Sequence, residues 1–270
     1  MQSNTRSLRR NRRAASPAVS MVIITAATVV LVLISSGYAL QVLWRQQAAA
    51  EFDTIQNSLL TFDDSLRDIA WDRGGSRSVR FTTGYGNMRL IDSYKSYTIS
   101  VTGLSDTFSY SFTTAAVKYQ MPYGYGASAS LGSSPFILGD ESNVVSRLNE
   151  SLGQAVIDQT PEFTSVALNY RVRVNYEGSV KILNPSGITV HYFDIYVIRV
   201  KCSSSEIPSG DFDLVCKNVG LETVPFGMYT VNSGDAYISV GPESDKVPLN
   251  LASGATVIFN LIVADVRVST

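Results

Sequence analysis

Histidine, cysteine and charged residues are all scarce in this sequence. Among 270 residues there are one histidine, His191, and two cysteines. The chain contains no G-x-S-x-G elbow for a Ser-His-Asp triad, no P-loop and no Rossmann glycine pattern. We therefore expect no enzyme activity, no metal site and no cofactor, and we interpret His191 as a structural residue of a strand.

The low charge content also limits the range of partners. Charged side chains make up 17% of the chain, against about 25% in an average soluble protein. Five arginines lie within the first 13 residues, and the remainder carries 17 basic against 23 acidic groups. A basic N-terminal run is typical of some nucleic-acid-binding arms, but no basic aromatic stripe, zinc-ligand spacing or RNA-binding motif follows it. We expect no nucleic-acid partner.

An apolar run near the N-terminus is what the sequence has in excess. No charged residue occurs from Ala14 to Trp44, and about 20 apolar residues suffice to cross a bilayer. Because the run is longer than the apolar core of a signal peptide and continues into a helical pattern, we interpret it as a retained hydrophobic helix. The arginines before it predict a cytoplasmic N-terminus, with the C-terminal part of the chain outside.

A helical period continues beyond the apolar run and predicts one long helix. The apolar residues that recur at intervals of three and four are Phe52, Ile55, Leu59, Phe62, Leu66 and Ile69. Ser16 as N-cap and Pro17 as first helical residue predict the start, and Gly74-Gly75 predicts the end. We predict a helix over residues 15–73, apolar over 18–44 and amphipathic over 45–72. Its stripe is expected to pack against its own globular domain, and pairing with copies of itself is the alternative.

The rest of the chain, residues 76–270, has the pattern of an all-β head. Short β-branched and aromatic runs alternate with glycine-containing turns. They lie at residues 79–83, 88–90, 97–102, 107–113, 116–121, 163–176, 188–201, 213–217, 228–231, 236–240 and 256–268. The predicted fold class is therefore α+β, a long N-terminal helix followed by a sandwich-like β head. Residues 140–152 are expected to form a short helix.

Three features of the head allow more than one interpretation. Cys202 and Cys216 flank a polar segment with Pro and Gly, and outside the cell such a pair predicts a disulfide. Asn149-Glu150-Ser151 is a possible glycosylation site at Asn149, although chance also explains one such match in a chain of this length. The Gly-, Ser- and Tyr-rich loop over 122–135 is an exposed linker or, alternatively, an aromatic contact surface for a neighbouring subunit or a sugar.

The order of these segments resembles the archaeal type IV pilin-like proteins. The resemblance lies in Arg12-Arg13-Ala14-Ala15-Ser16-Pro17, in the apolar run over 18–43, and in the stretch over 57–80. In that family a prepilin peptidase cuts a class III signal peptide on the cytoplasmic side, after a small residue that follows the basic run. The resemblance implies cleavage after Ala14 or Ala15, next to Arg13, and loss of the basic leader 1–14.

The resemblance also implies a function. The chain would be a structural subunit of an archaeal cell-surface filament for adhesion or attachment, first in the membrane and then outside the cell. Its partners would be other pilin copies, the prepilin peptidase and the pilus assembly machinery. The residues expected in the filament core are Val19, Val22, Ile23, Val30, Leu33 and Leu40. The alternative is an uncleaved, single-pass membrane anchor whose extracellular β domain binds a partner or a glycan.

Overall fold

The protein is described here from a computed structural model. It covers residues 7–122, 135–147, 149–182, 187–203, 205–207, 209–241 and 245–270, with side chains from residue 19 onward. Within these ranges one long helix, α1 (Ser7–Ala70), precedes a domain made predominantly of strands. The α+β class predicted from the sequence is confirmed at this level. Contacts divide the chain into a unit over Met1–Gln47 and a unit over Ala48–Thr270.

The β domain contains strands that are often longer than the sequence pattern predicts. They are β1 (Ser76–Thr83), β2 (Asn87–Thr102), β3 (Phe108–Pro122), β4 (Phe136–Leu138), β5 (Val144–Val145), β6 (Gly153–Gln159), β7 (Phe163–Tyr170), β8 (Val172–Lys181), β9 (Thr189–Lys201), β10 (Ser205–Ile207), β11 (Gly210–Thr230), β12 (Tyr237–Gly241), β13 (Asp245–Pro248) and β14 (Thr256–Ser269). Two short predicted strands merge into β11, whereas the predicted strand over 163–176 divides at Arg171 into β7 and β8.

The strands form two sheets. Sheet A has the order β1-β11-β14-β9-β8-β5, and sheet B has the order β13-β12-β2-β3-β7-β6-β4, with β10 paired to β2. Most neighbours are antiparallel, while β14 pairs in parallel with β9 and β5 pairs in parallel with β8. The division at Arg171 therefore moves the chain from sheet B, which contains β7, to sheet A, which contains β8.

The buried face of the long strands changes midway along their length. In β9 the neighbours Val197 and Ile198 are both buried, and so are Val263 and Ala264 beside them in β14. Successive side chains of a strand point to opposite faces, so the residues before and after this point face different hydrophobic clusters. One cluster contains the C-terminal half of α1 and residues of both sheets, and the other is built from strand and loop residues alone.

The amphipathic half of α1 is part of the domain core. Every residue of the predicted stripe is buried: Phe52, Ile55, Leu59, Phe62, Leu66 and Ile69. They pack with residues from strands of both sheets, including Phe81, Tyr119, Val200 and Val266. Full burial of one such side chain contributes about 1.5–3 kcal/mol. The prediction that the stripe packs against its own domain is confirmed.

Two carboxylates of α1 have defined partners: Glu51 binds residues of the β domain, and Asp63 binds Arg67 one turn further along the helix. Glu51 accepts hydrogen bonds from the backbone N–H groups of Gly84 and Tyr85, at 2.8 Å and 3.1 Å, and from the Tyr119 hydroxyl at 2.5 Å. Asp63 is 1% exposed and forms an ion pair with Arg67 at 2.9 Å. Desolvation raises the pKa of Asp63 above its ordinary value, although Arg67 opposes the shift.

The prediction of a short helix over 140–152 is wrong. Val144 and Val145 form β5 instead. The segment is extended because it surrounds the guanidinium of Arg171, whose side chain is 1% exposed. Arg171 donates to the Asp140 carboxylate at 2.7 Å and to the carbonyl oxygens of Ser142 and Ser151. A buried charge needs such partners, and carbonyls committed to helical hydrogen bonds would be poorly placed to supply them.

A substitution at Gly153 tests how α1 packs against the strands. A Cβ atom at this position would lie 2.1 Å from Asp63 Oδ1. We expect Gly153→Ala to lower the free energy of unfolding by about 1–3 kcal/mol, measured by chemical denaturation of the full chain. Gly234→Ala is the control, because nothing lies within 4 Å of its Cβ position. In an Asp63→Ala background the cost of Gly153→Ala should largely disappear; an unchanged cost would contradict this packing.

Candidate assembly surface on the N-terminal helix

The unit over Met1–Gln47 presents an apolar helical surface. Except for Val42, which is partly buried, its large apolar side chains from residue 19 onward are between 46% and 73% exposed. They are Val19, Met21, Val22, Ile23, Ile24, Val29, Val30, Leu31, Val32, Leu33, Ile34, Tyr38, Leu40, Leu43 and Trp44. We call these residues the apolar segment. They surround the helix on all sides rather than forming one stripe.

All six residues predicted for the filament core belong to the apolar segment. Val19, Val22, Ile23, Val30, Leu33 and Leu40 are each at least half exposed. Their spacings of three, four and seven residues place all six within about 100° of the helix circumference. The six side chains therefore lie on one face of α1, and a neighbour bound to them would approach that face.

Two threonines between the residues of the apolar segment bond to their own helix. Thr25 Oγ1 donates to the Met21 carbonyl at 2.8 Å, and Thr28 Oγ1 donates to the Ile24 carbonyl at the same distance. Such bonds satisfy a hydroxyl where water is excluded. The apolar segment can therefore enter lipid or a protein interior without leaving these two hydroxyls unpaired.

The composition of α1 also permits a membrane span. Among the described residues, one helical stretch, Val19–Ala70, contains a window long and apolar enough to cross a bilayer. The mean hydropathy of that window is 2.4, and none of it is buried. The exposure of the side chains of α1 changes over a short distance: Arg45 and Gln47 are exposed, and Ala48 is the first fully buried residue.

The predicted processing site lies within the helix. Arg13, Ala14 and Ala15 belong to α1, and their side chains lie outside the described residues. The helix begins at Ser7, so the predicted start at Ser16 and Pro17 is wrong for the intact chain. Arginine and alanine are strong helix formers, and the five arginines of the leader, together with Ala14 and Ala15, favour continuation of the helix toward the N-terminus. Proline is tolerated in long apolar helices when neighbouring groups satisfy the freed carbonyl.

The predicted disulfide between Cys202 and Cys216 is not formed, and both residues are free thiols. Cys216 of β11 pairs with Val268 of β14, while Lys201 of β9 pairs with Arg267 on the other side of the same strand. Thus β14 separates the cysteines. Strands lie about 4.8 Å apart, so the two Cα atoms are about 10 Å apart, beyond the roughly 7 Å limit for a disulfide.

Two other predicted positions are placed by the structure. Asn149 is exposed in a turn, so the acceptor side chain is accessible. His191 Nδ1 lies 3.0 Å from the Tyr176 hydroxyl, and the two rings stack with centroids 6.0 Å apart. The central part of the Gly-, Ser- and Tyr-rich loop, residues 123–134, lies outside the described residues.

Comparisons of this chain with protein-family models, with curated proteins and with solved structures gave no match.

Thiol labelling tests the separation of the cysteines. Burial raises the pKa of both thiols, and Cys216 is fully buried. We expect iodoacetamide to modify both cysteines in denaturant without any reductant, as read by intact mass. Prior reduction is the control and should leave the result unchanged. A protein that is modified only after reduction would contain the disulfide and contradict this arrangement.

Proposed function

We propose that this chain is a pilin-type structural subunit of an archaeal cell-surface filament, assembled through the apolar segment of α1 and used for adhesion or attachment. The observation that carries the proposal is the contrast between the two parts of α1. From Ala48 onward one stripe is buried in the domain core, whereas the apolar segment has no partner within the described part of the chain.

The apolar segment is stable only where water is removed from it. Burial of apolar surface contributes about 25 cal/mol per Å², so exposure of the whole segment to water is strongly unfavourable. A bilayer removes the water before assembly, and the helices of neighbouring copies remove it afterwards. Head-to-tail contacts that do not close into a ring generate an open helical filament. The same surface would thus serve the precursor and the assembled subunit.

Cleavage of the leader would separate the membrane-bound precursor from the subunit that can assemble. Five arginines of the leader favour a cytoplasmic N-terminus, but they would be unfavourable within an apolar filament core. Cleavage by a prepilin peptidase after Ala14 or Ala15 would remove them. In the mature chain Ser16 and Pro17 would then lie at the new terminus, where serine and proline suit the first turn of a helix.

The head would face the outside of the cell. We propose a sandwich-like arrangement of sheets A and B, supported by the hydrophobic clusters that contain residues of both. Its exposed turn at Asn149 would be available for modification there. The alternative is a single-pass membrane protein that keeps its leader and whose β domain binds a partner or a glycan. The length and apolar composition of α1 support this alternative as well.

A charge placed in the apolar segment distinguishes assembly from folding. Val30 is 54% exposed and lies far from the core of the β domain in sequence. Arginine at the centre of an apolar helix costs about 2.5–3.5 kcal/mol on insertion scales. We expect Val30→Arg to abolish incorporation into sheared surface filaments, while the head remains as resistant to proteolysis as in the wild type.

Asn57→Arg is the matched control, since Asn57 is an exposed polar residue of the amphipathic half. It adds the same charge to the same helix and should leave filament yield unchanged. Normal filaments from Val30→Arg would contradict the proposed core. Wild-type chain found in membranes but never in sheared material would support the membrane anchor instead.

A further inference from the structure

Three basic side chains form a row across sheet A. Lys217 of β11 lies directly opposite Arg267 of β14, and Arg267 lies directly opposite Lys201 of β9. All three are exposed. Directly paired residues on adjacent strands project to the same face, so the three charges lie side by side. We call these residues the cation row.

The cation row is unfavourable in the isolated chain. Like charges directly opposite each other destabilise a sheet. Among the described residues, no carboxylate lies within 4.0 Å of Lys217 or Arg267, and Lys201 shares the carboxylate of Asp265 with Arg199. The surrounding unit, Ala48–Thr270, carries 16 basic and 23 acidic side chains. The row therefore concentrates positive charge in a domain that is acidic as a whole.

Two cavities adjoin the row at Lys201. One, of about 500 Å³, is lined by Lys201 and Arg267 together with the serines Ser203, Ser205 and Ser269. The other, of about 640 Å³, is lined by Lys201 and Arg199 together with the hydroxyl residues Ser93, Ser96, Thr98, Ser111 and Thr113, and by Asp92. Each hydroxyl can both donate and accept a hydrogen bond. The surroundings of the row are therefore polar and rich in hydroxyl groups.

We propose that the cation row and these two cavities bind an acidic polysaccharide. Carboxylate or sulfate groups of the polymer pair with Lys217, Arg267 and Lys201 through charge-assisted hydrogen bonds. Sugar hydroxyls bond to the serine and threonine side chains of the cavities. The row spans about 10 Å, because strands lie about 4.8 Å apart, which is the length of about two sugar units.

The surroundings of the row favour a polysaccharide over a nucleic acid. Proteins that bind single-stranded nucleic acid present exposed aromatic rings on which bases stack. The aromatic residues at the second cavity, Tyr97 and Phe112, are instead buried in the core. The face lies entirely within the unit Ala48–Thr270, so the inference does not depend on filament assembly.

The test measures binding of the unassembled full chain in nonionic detergent to polygalacturonate and to dextran sulfate at low salt. Neutral dextran is the control polymer. We expect the double variant Lys217→Gln/Arg267→Gln to lose at least about tenfold in affinity and to show a weaker dependence on salt. Its melting temperature should be equal to or slightly above that of the wild type, because repulsion within the row is relieved.

The matched control is Arg147→Gln/Lys181→Gln, which removes one arginine and one lysine from exposed positions outside the row. It should bind both acidic polymers like the wild type. If both double variants lost the same affinity for the acidic polymers, binding would reflect general electrostatic attraction and not a defined site, which would overturn the proposal. Binding of single-stranded DNA that exceeds binding of both polysaccharides would also overturn it and assign the row to nucleic acid.

Discussion

The structure depends on burial of one apolar stripe of α1 among the strands of the β domain. Phe52, Leu59 and Phe62 are fully or almost fully buried there, and they contact residues from strands of both sheets. This half of the helix therefore completes the core of a domain that follows it in sequence. Glu51 and Asp63 then fix its position, since Glu51 binds the turn after β1 and Asp63 occupies the space left by the missing side chain of Gly153.

The two parts of α1 have the same backbone conformation and different environments. Up to Gln47 the side chains of the apolar segment are exposed, and from Ala48 onward the stripe is buried. A substitution before residue 47 is therefore expected to affect membrane insertion or association with copies, whereas one in the stripe is expected to affect folding. This division gives the proposed subunit separate sites for assembly and for stability, and it leaves the cation row of sheet A free to act independently of both.

Local periodicity was sufficient to predict α1, its buried stripe and most of the strands, because these depend on side-chain spacing along a single segment. The register of the sheets could not be predicted in the same way. The buried face changes at Val197 and Val263 because different hydrophobic clusters pack against the two faces of sheet A. The cation row exists only because Lys217, Arg267 and Lys201 come into register from different strands. The disulfide prediction failed for the same reason, since β14 comes between the cysteines from far along the sequence. Arg171 is a related case: its sequence neighbourhood resembles a continuous strand, and only the buried partners around Asp140 explain the break.

The proposal that α1 enters a filament core is tested most directly by the N-terminus of the native protein. Peptide mass spectrometry should compare sheared surface material with membranes. We expect a mature chain that starts at Ala15 or Ser16 in the sheared fraction, without the leader arginines. An intact leader, found only in membranes, would contradict it and would identify the chain as an anchored protein with an extracellular β domain.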